Sequence, residues 1–596
     1  MCAIVGLVGG GTVAQAEAMI RTLEHRGPDG VRVEPIEGLP RVKGALAHAR
    51  LSIIDLEGGW QPLHAAGGTV IGNGEIYNYK ELIEAFGLQD KLATGSDFEP
   101  LLHLYALEGE KAFDRLRGMY AFCLVGADGR VWLVRDPFGI KPLYYRQTDG
   151  VLQFASEPRA LLPSQTGPSR GALGIDHEPL QDLLALNYAV GRNTAFRGVR
   201  RLKPGEICEV VYGRPAPRRV RSPLPQPQNP GKPYPRDEAG LLGALDRVLE
   251  DAVTVHQRSD VPYGLFLSGG IDSTVIATMM SRLNSRPVTA YTCGFEASAI
   301  KSGGGKTGVR DERGQAEKTA RALNLDWHEV SFGEEDFWRV LPQVAWALDE
   351  PTTDYATLPT YKLAEAAKGT LAVVLTGEGG DELFGGYGRY RRALRPALFG
   401  GRESGPRADI PFLRDKGQAA VERWRHVTDP PSGLDPLQQA QYRDIAGWLP
   451  NDLLLKLDRC LMAHGLEGRT PFLDPEVARF AFWLPDKAKV RGRLGKWLLR
   501  RWLHRHCPGA DPFARKAGFT TPVQAWIAPR ARDLGPRIAR LEGVRTLCDL
   551  QAVRAVFDDD RLAQHRWPLL FFAVWWGIHA ERLAPQEALG RLIGEG

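Results

Sequence analysis

Hydrophobic and polar positions change their spacing along the chain in a way that divides it in two. Ala3 to Val8 is an unbroken apolar run stopped by Gly9, Gly10 and Gly11, the length and punctuation of a buried strand. His25 to Gly30, HRGPDG, is a dense turn cluster, and His48 to Asp55, HARLSIID, returns to a strand pattern. From 214 to 235 proline recurs too often for a helix or a central strand, so this stretch is expected to run extended over the surface. Beyond it strand and helix patterns alternate. Leu241 to Val255 has the spacing of an amphipathic helix, Asp260 to Leu267 that of a strand, and Thr274 to Met280 that of a helix. The series continues with a strand at Pro287 to Phe295, a helix at Arg313 to Leu323 and a strand at His328 to Ser331, then a helix at Tyr361 to Ala367 and a strand at Ala372 to Thr376. That order predicts a doubly wound parallel α/β sheet with ligand at the carboxyl ends of its strands.

At 596 residues the chain exceeds a single core, and several domains are expected. Its 43% hydrophobic and 25% charged residues are those of an ordinary globular protein. The formal charge of +5, from 76 basic and 71 acidic residues spread along the chain, gives no argument for nucleic acid or a membrane surface as partner. Seven cysteines without a CxxC pair supply neither a zinc pattern nor a disulfide framework and fit a reducing compartment, read here as cytoplasm. The start, MCAIVGLVGG, lacks the basic segment of a signal peptide. Trp567 to Ile578, WPLLFFAVWWGI, is shorter than the roughly 18 to 20 residues of a membrane span and is read as a buried helix.

Three stretches carry candidate chemistry. Leu267 to Ala277, LSGGIDSTVIA, falls on the turn from a predicted strand to a predicted helix. Ser268, Gly269 and Gly270 would expose backbone N–H groups at the positive end of that helix, an anion site. A Walker A loop would place lysine here; this one has Asp272, an oxygen donor suited to Mg²⁺. Thr376 to Tyr387, TGEGGDELFGGY, interleaves carboxylates with glycines at the end of another predicted strand, as a metal and nucleotide site or a solvated loop would. Cys2 becomes the first residue if Met1 is removed, and an α-amino group with a pKa of about 7.7 to 8.0 can then take the thiol proton. By itself Cys2 reads better as a buried structural cysteine.

The blocks that follow Cys2 are HRGPDG, HARLSIID, NGEIYNY at Asn73 to Tyr79, TGSDFE at Thr94 to Glu99 and RDPFGIKPLYY at Arg135 to Tyr145. In this order they resemble the class II glutamine amidotransferase domain of the N-terminal-nucleophile hydrolases, over residues 2–212. The resemblance implies an α/β/β/α sandwich that hydrolyses glutamine at Cys2. It further implies that Arg50 holds the glutamine α-carboxylate, Glu75 and Asp97 its α-ammonium, and that Asn73 and the Gly74 N–H form the oxyanion hole. Asn73-Gly74 also suits a hairpin turn. Ala49 stands where that family usually has arginine.

LSGGIDS resembles the loop of the ATP pyrophosphatase superfamily, which implies ATP contacts from Leu267, Ser268, Gly269, Gly270, Asp272 and Ser273. The Thr376 to Tyr387 string, LLLKLDRCLMAHGLEGRTPFLD at Leu453 to Asp474, GKWLLR at Gly495 to Arg500 and RKAGFTTP at Arg515 to Pro522 extend the likeness to glutamine-dependent asparagine synthetases over residues 2–580. It implies an ATP pyrophosphatase domain at 237–596, joined to the first by a Pro-rich linker at 213–236. Thr376 and Gly377 would border ATP, Asp272 and Asp381 hold Mg²⁺, Glu378 act at the amidation site and Lys516 neutralise the transferring phosphoryl group.

The implied reaction adenylates aspartate with ATP and amidates it with ammonia from glutamine. Glutamine, aspartate and ATP are then the small-molecule partners, and homodimers are common among similar enzymes. The same plan serves amidotransferases acting on antibiotic, peptide or polysaccharide carboxylates. The 297–310 insert, ASAIKSGGGKTGVR, is where the family passes quickly to the Asp-Glu pair found here as Asp311 and Glu312.

Overall fold

The computed structural model describes residues 2–37, 42–162, 174–225, 235, 237–296, 312–396, 405–514 and 521–594. Lys516 and the 297–310 insert lie outside them.

The first half holds two six-stranded antiparallel sheets. Its strands are β1 Ala3–Val8, β2 Gly30–Pro35, β3 Gly44–Arg50, β4 Leu63–Ala65, β5 Gly68–Ile76 and β6 Gly118–Val125. They continue with β7 Val131–Arg135, β8 Tyr144–Thr148, β9 Val151–Ala155, β10 Val199–Arg201, β11 Glu206–Val211 and β12 Arg214–Val220. One sheet has the order β10-β8-β9-β1-β3-β2, the other β12-β11-β7-β6-β5-β4. Period-two alternation explains the stacking. Ile4 and Val8 of β1 pack with Ile71, Ala121 and Leu133 of the facing sheet, while Ala3, Val5 and Leu7 turn outward onto Ala16 and Ile20 of the helix Val13–Arg21. On the far side, Phe122 and Leu124 meet Phe98, Leu101 and Leu102 at the helix Glu99–Glu108. This is the expected α/β/β/α sandwich.

The stretch expected as linker from 213 onward begins differently. Arg214–Val220 is β12, paired antiparallel with β11 at the edge of its sheet. Pro215 and Pro217 are tolerated there because an edge strand has one side free of the ladder. The strands of the first half therefore run to Val220.

The second half is built on β13 Tyr263–Phe266, β14 Thr289–Phe295, β15 Asp326–Phe332, β16 Val373–Leu375 and β17 Glu467–Arg469. All pairs are parallel, in the order β15-β14-β13-β16-β17. Helices Ile271–Leu283, Arg313–Ala322, Glu334–Ala347 and Thr357–Ala367 supply the crossovers. The sheet is doubly wound, and its order reverses between β13 and β16, where a crevice opens at the strand ends. Helices fill the remainder. Arg566–His579 contains the Trp567 to Ile578 run, buried throughout, with Trp567 Nε1 donating to the Thr353 carbonyl at 2.7 Å. Among the described residues no helix is long and apolar enough to cross a membrane.

Candidate functional sites

Cys2 immediately precedes β1, an inner strand of its sheet, and is buried, its N–H donating to Asn73 Oδ1 at 3.2 Å. Burial pushes the thiol pKa up, so the group is held protonated until a base takes its proton. Asn73 and Gly74 lie inside β5, opposite Ala121 and Tyr120 of β6. They are not a hairpin turn. Gly74 has φ +134°, and a Cβ there would come within 2.0 Å of the Met119 carbonyl oxygen, so only glycine lets β5 and β6 close. Among the described residues Asn73 Nδ2 is buried without a protein acceptor. A donor left unpaired beside a thiol is what an oxyanion hole requires.

The other predicted residues converge on the same place. Arg50, at the end of β3, donates to the Leu56 carbonyl at 3.1 Å and to that of Asp55, and its guanidinium lies 4.8 Å from the Trp60 ring centre. Asp97 Oδ2 accepts from the Ile76 N–H at 2.6 Å; burial, with Glu467 nearby, pushes its pKa up to about 7. Burial and the charges of Glu467 and Asp97 push Glu75 well up too. Both carboxyls are held above their usual range, where added positive charge would favour their ionised form.

Glu467 and Arg469 belong to the other half of the chain. Arg469 Nη2 is 3.3 Å from Glu75 Oε1 and its Nε 2.5 Å from Glu467 Oε1. Positive neighbours including Arg469 hold Glu467 down at about 2 against the cost of burial. A seam of such pairs continues along the junction. Arg26, 0% exposed, donates to Asp458 at 2.7 and 3.1 Å, to Glu157 at 2.8 Å and to the Cys2 carbonyl at 3.3 Å. Arg459 joins Asp349 at 3.2 Å and Glu157 at 3.4 Å. Arg26 stands inside the stretch read from sequence as a turn, and the sequence reading assigns no role to Arg26, Glu157, Asp349, Asp458 or Arg459. Asp458 and Arg459 lie on the helix Leu454–Met462, every residue of which is buried, and charges inside an otherwise apolar helix were the available signal.

The second site is a cleft of about 830 Å³ at the reversal point of the parallel sheet. Leu267, Ser268, Gly269, Gly270, Asp272 and Ser273 line one wall, Thr376, Gly377, Glu378 and Asp381 the other. Gly270 caps the helix Ile271–Leu283, its N–H donating to Ser268 Oγ at 3.1 Å. Asp272, in the first turn of the helix Ile271–Leu283, and Asp381, in the first turn of the short helix Gly380–Phe384, meet at Lys496, whose Nζ touches Asp272 Oδ2 and lies 2.7 Å from Asp381 Oδ1. Two carboxylates sharing one cation fit a hard divalent ion such as Mg²⁺, for which they are suitable oxygen donors. Burial raises the Glu378 pKa; Lys456 Nζ is 3.6 Å from Glu378 Oε1 and 2.8 Å from Asp354 Oδ2. In the sequence Lys456 and Lys496 stand out only within the longer strings Leu453 to Asp474 and Gly495 to Arg500.

One short strand touches both sites. Arg469 of β17 reaches Glu75 with its side chain, while its carbonyl accepts the Thr376 N–H at 2.9 Å.

With this geometry in hand, similarity to known proteins is informative. Residues 244–577 match the family model described as asparagine synthase and residues 1–219 that described as glutamine amidotransferase domain. The chain is 31% identical to a Bacillus subtilis protein named asparagine synthetase [glutamine-hydrolyzing] 1, over 98% of each chain. It is 27% identical to the Escherichia coli asparagine synthetase B [glutamine-hydrolyzing], over 88% of this chain and 83% of that one. It is also 28% identical to amidase chry2 of Gibberella zeae, over 87% of this chain and 85% of that one.

Proposed function

Because the chain belongs to the asparagine synthase family and is an ATP-dependent amidotransferase ligase, we propose that its acceptor is aspartate and its product asparagine. The acceptor reading is supported by the similarity to proteins named asparagine synthetase, and the coupling of the two sites by β17. Its side chains border the glutaminase pocket and its backbone fixes the nucleotide loop, as transfer of ammonia between two reactions would need.

At the first site, Cys2 with Met1 removed uses its own α-amino group as base, and Sγ attacks the glutamine carboxamide. The oxyanion takes hydrogen bonds from Asn73 Nδ2 and the Gly74 N–H, where one lost donor costs about 3 kcal/mol of barrier. Arg50 grips the α-carboxylate and Glu75 and Asp97 the α-ammonium. Ammonia leaves, and water hydrolyses the thioester. At the second site the N–H groups of Ser268 to Gly270 cradle the phosphates, flanked by Leu267, Ser273, Thr376 and Gly377. The β-carboxylate of aspartate attacks the α-phosphorus of ATP and displaces pyrophosphate, and ammonia then attacks the acyl adenylate and expels AMP, with Glu378 accepting its proton. Mg²⁺ held by Asp272 and Asp381 would neutralise charge on the phosphates. Lys516, outside the described residues, is assigned by resemblance to the same transition state.

The test is pyrophosphate release with ATP, Mg²⁺ and glutamine, scanning aspartate against other carboxylates, in wild type and Cys2→Ala. One asparagine per AMP, with C2A active on ammonia but not on glutamine, is expected. Glutaminase activity without aspartate-dependent pyrophosphate would transfer the proposal to a different carboxylate, the reading favoured by the likeness to amidase chry2.

A further inference from the structure

Lys496 occupies the position between the two carboxylates assigned to the metal. Its side chain is 3% exposed, and its Nζ bridges Asp272 and Asp381, which lie 109 residues apart in sequence and at the starts of two different helices. The backbone is shaped around this contact. Lys496 has φ +56° and ψ +38°, a left-handed conformation that is uncommon for a lysine. Its N–H is tied to the Phe384 carbonyl at 3.2 Å and its own carbonyl accepts from the Arg500 N–H at 3.0 Å. At Gly386 a Cβ would fall 1.7 Å from Asp381 Oδ1 and 2.3 Å from Lys496 Cε; at Gly380 it would fall 2.5 Å from Asp272 Oδ1. The glycines of TGEGGDELFGG thus make room for three charged groups in contact, not only for phosphate.

A buried ammonium at hydrogen-bond distance from both carboxylates and a divalent cation on the same oxygens repel one another strongly in a poorly solvated site. The arrival of polyphosphate changes the balance, since its negative charge can receive the ammonium as the metal takes the carboxylates. We propose that Lys496 is a stand-in cation, which holds Asp272 and Asp381 together in the nucleotide-free enzyme, excludes free divalent metal, and yields the site only when metal and nucleotide enter together. Metal binding is then conditional on nucleotide. This inference rests on the assignment of the metal to Asp272 and Asp381.

The test uses the full-length enzyme and Mn²⁺ as a paramagnetic probe, counting free ion by electron spin resonance, with and without a non-hydrolysable ATP analogue. Wild type is expected to hold Mn²⁺ at least tenfold more tightly with the analogue than without. Lys496→Met, which keeps the side-chain length and the backbone strain but removes the charge, is expected to bind Mn²⁺ alone at least tenfold more tightly than wild type. Lys496→Arg should still exclude it. Tight binding of Mn²⁺ to nucleotide-free wild type, or no gain in K496M, would overturn the proposal. Asp381→Asn separates the two levels: if D381N binds Mn²⁺ with the analogue as well as wild type does, the metal assignment itself is wrong. If D381N loses that binding and K496M gains nothing, only the role of Lys496 falls.

Discussion

Replacing Arg26 by methionine tests whether the buried seam holds the two halves together. The substitution keeps most of the apolar stem and deletes a cation that serves Asp458, Glu157 and the Cys2 carbonyl at once. Removing one partner of a buried pair costs about 3–5 kcal/mol, because the other charge stays behind without compensation. Glu157 retains Arg159 at 2.9 Å and Arg459 at 3.4 Å, and Asp458 retains Arg459 at 3.2 Å, so neither carboxylate is wholly stranded. The loss of three acceptors nonetheless places R26M near the upper end, about 5 kcal/mol. At about 2–4 °C per kcal/mol for a unit of 150–250 residues, the amino-terminal half should melt about 10 °C lower or more, separating from the carboxyl-terminal half in calorimetry. Glutamine-driven synthesis should fall while ammonia-driven synthesis persists, since the Cys2 backbone loses a tether and the nucleotide cleft does not. The double variant R26M/D458N should recover part of the melting temperature, and R26K little, because an ammonium cannot span all three acceptors. A single melt within about 1 °C of wild type, the behaviour of an exposed pair, would refute the reasoning.

Three further outcomes follow from the geometry. Trp60→Ala removes the ring stacked on Arg50 at 4.8 Å and on Arg32 at 4.7 Å; a cation–π contact of about 1 kcal/mol predicts a roughly fivefold higher KM for glutamine with ammonia-driven turnover unchanged. Gly386→Ala drives a methyl group into Asp381 and Lys496 and should lower pyrophosphate formation by about 100-fold, a loss of roughly 3 kcal/mol of stabilisation, while glutaminase activity survives. His256 is buried with Nδ1 2.7 Å from the Ala252 carbonyl, and burial lowers its pKa to about 3. Below its ordinary value of 6.5 the unfolded chain takes up a proton that the folded one refuses, so stability falls from pH 6.5 toward pH 3; His256→Gln should flatten part of that slope in urea titrations at pH 7 and pH 5.

The parallel sheet was legible because its inner strands are apolar runs bounded by helices, as Thr289–Phe295 and Val373–Leu375 show. Its edge was less so. Asp326–Phe332 exposes Asp326, His328 and Glu329 as the outermost strand, and the apolar pattern of only His328 to Ser331 was visible. Prolines hid β12 for the same reason: edge strands obey weaker rules. Asn73-Gly74 has the composition of a turn yet lies within a strand, because Gly74 is needed for close approach to Met119. The nucleotide loops were readable since their glycines and carboxylates are local in sequence. The seam was not: Arg26 finds Asp458 across 432 positions, and no periodicity along either segment reports that meeting.

Multidomain ligases invite cut-and-paste design, in which one donor-activating half is exchanged for another at the connecting segment. Strand β17 works against that strategy here. Three residues, Glu467–Arg469, are at once the last strand of one unit's sheet and the source of the ion pair to Glu75 in the other unit. A transplanted half that ends at Val220 would carry its own counterpart of Glu75 into a foreign Glu467 and Arg469, so a working hybrid must inherit those two positions with the graft, far from the visible join.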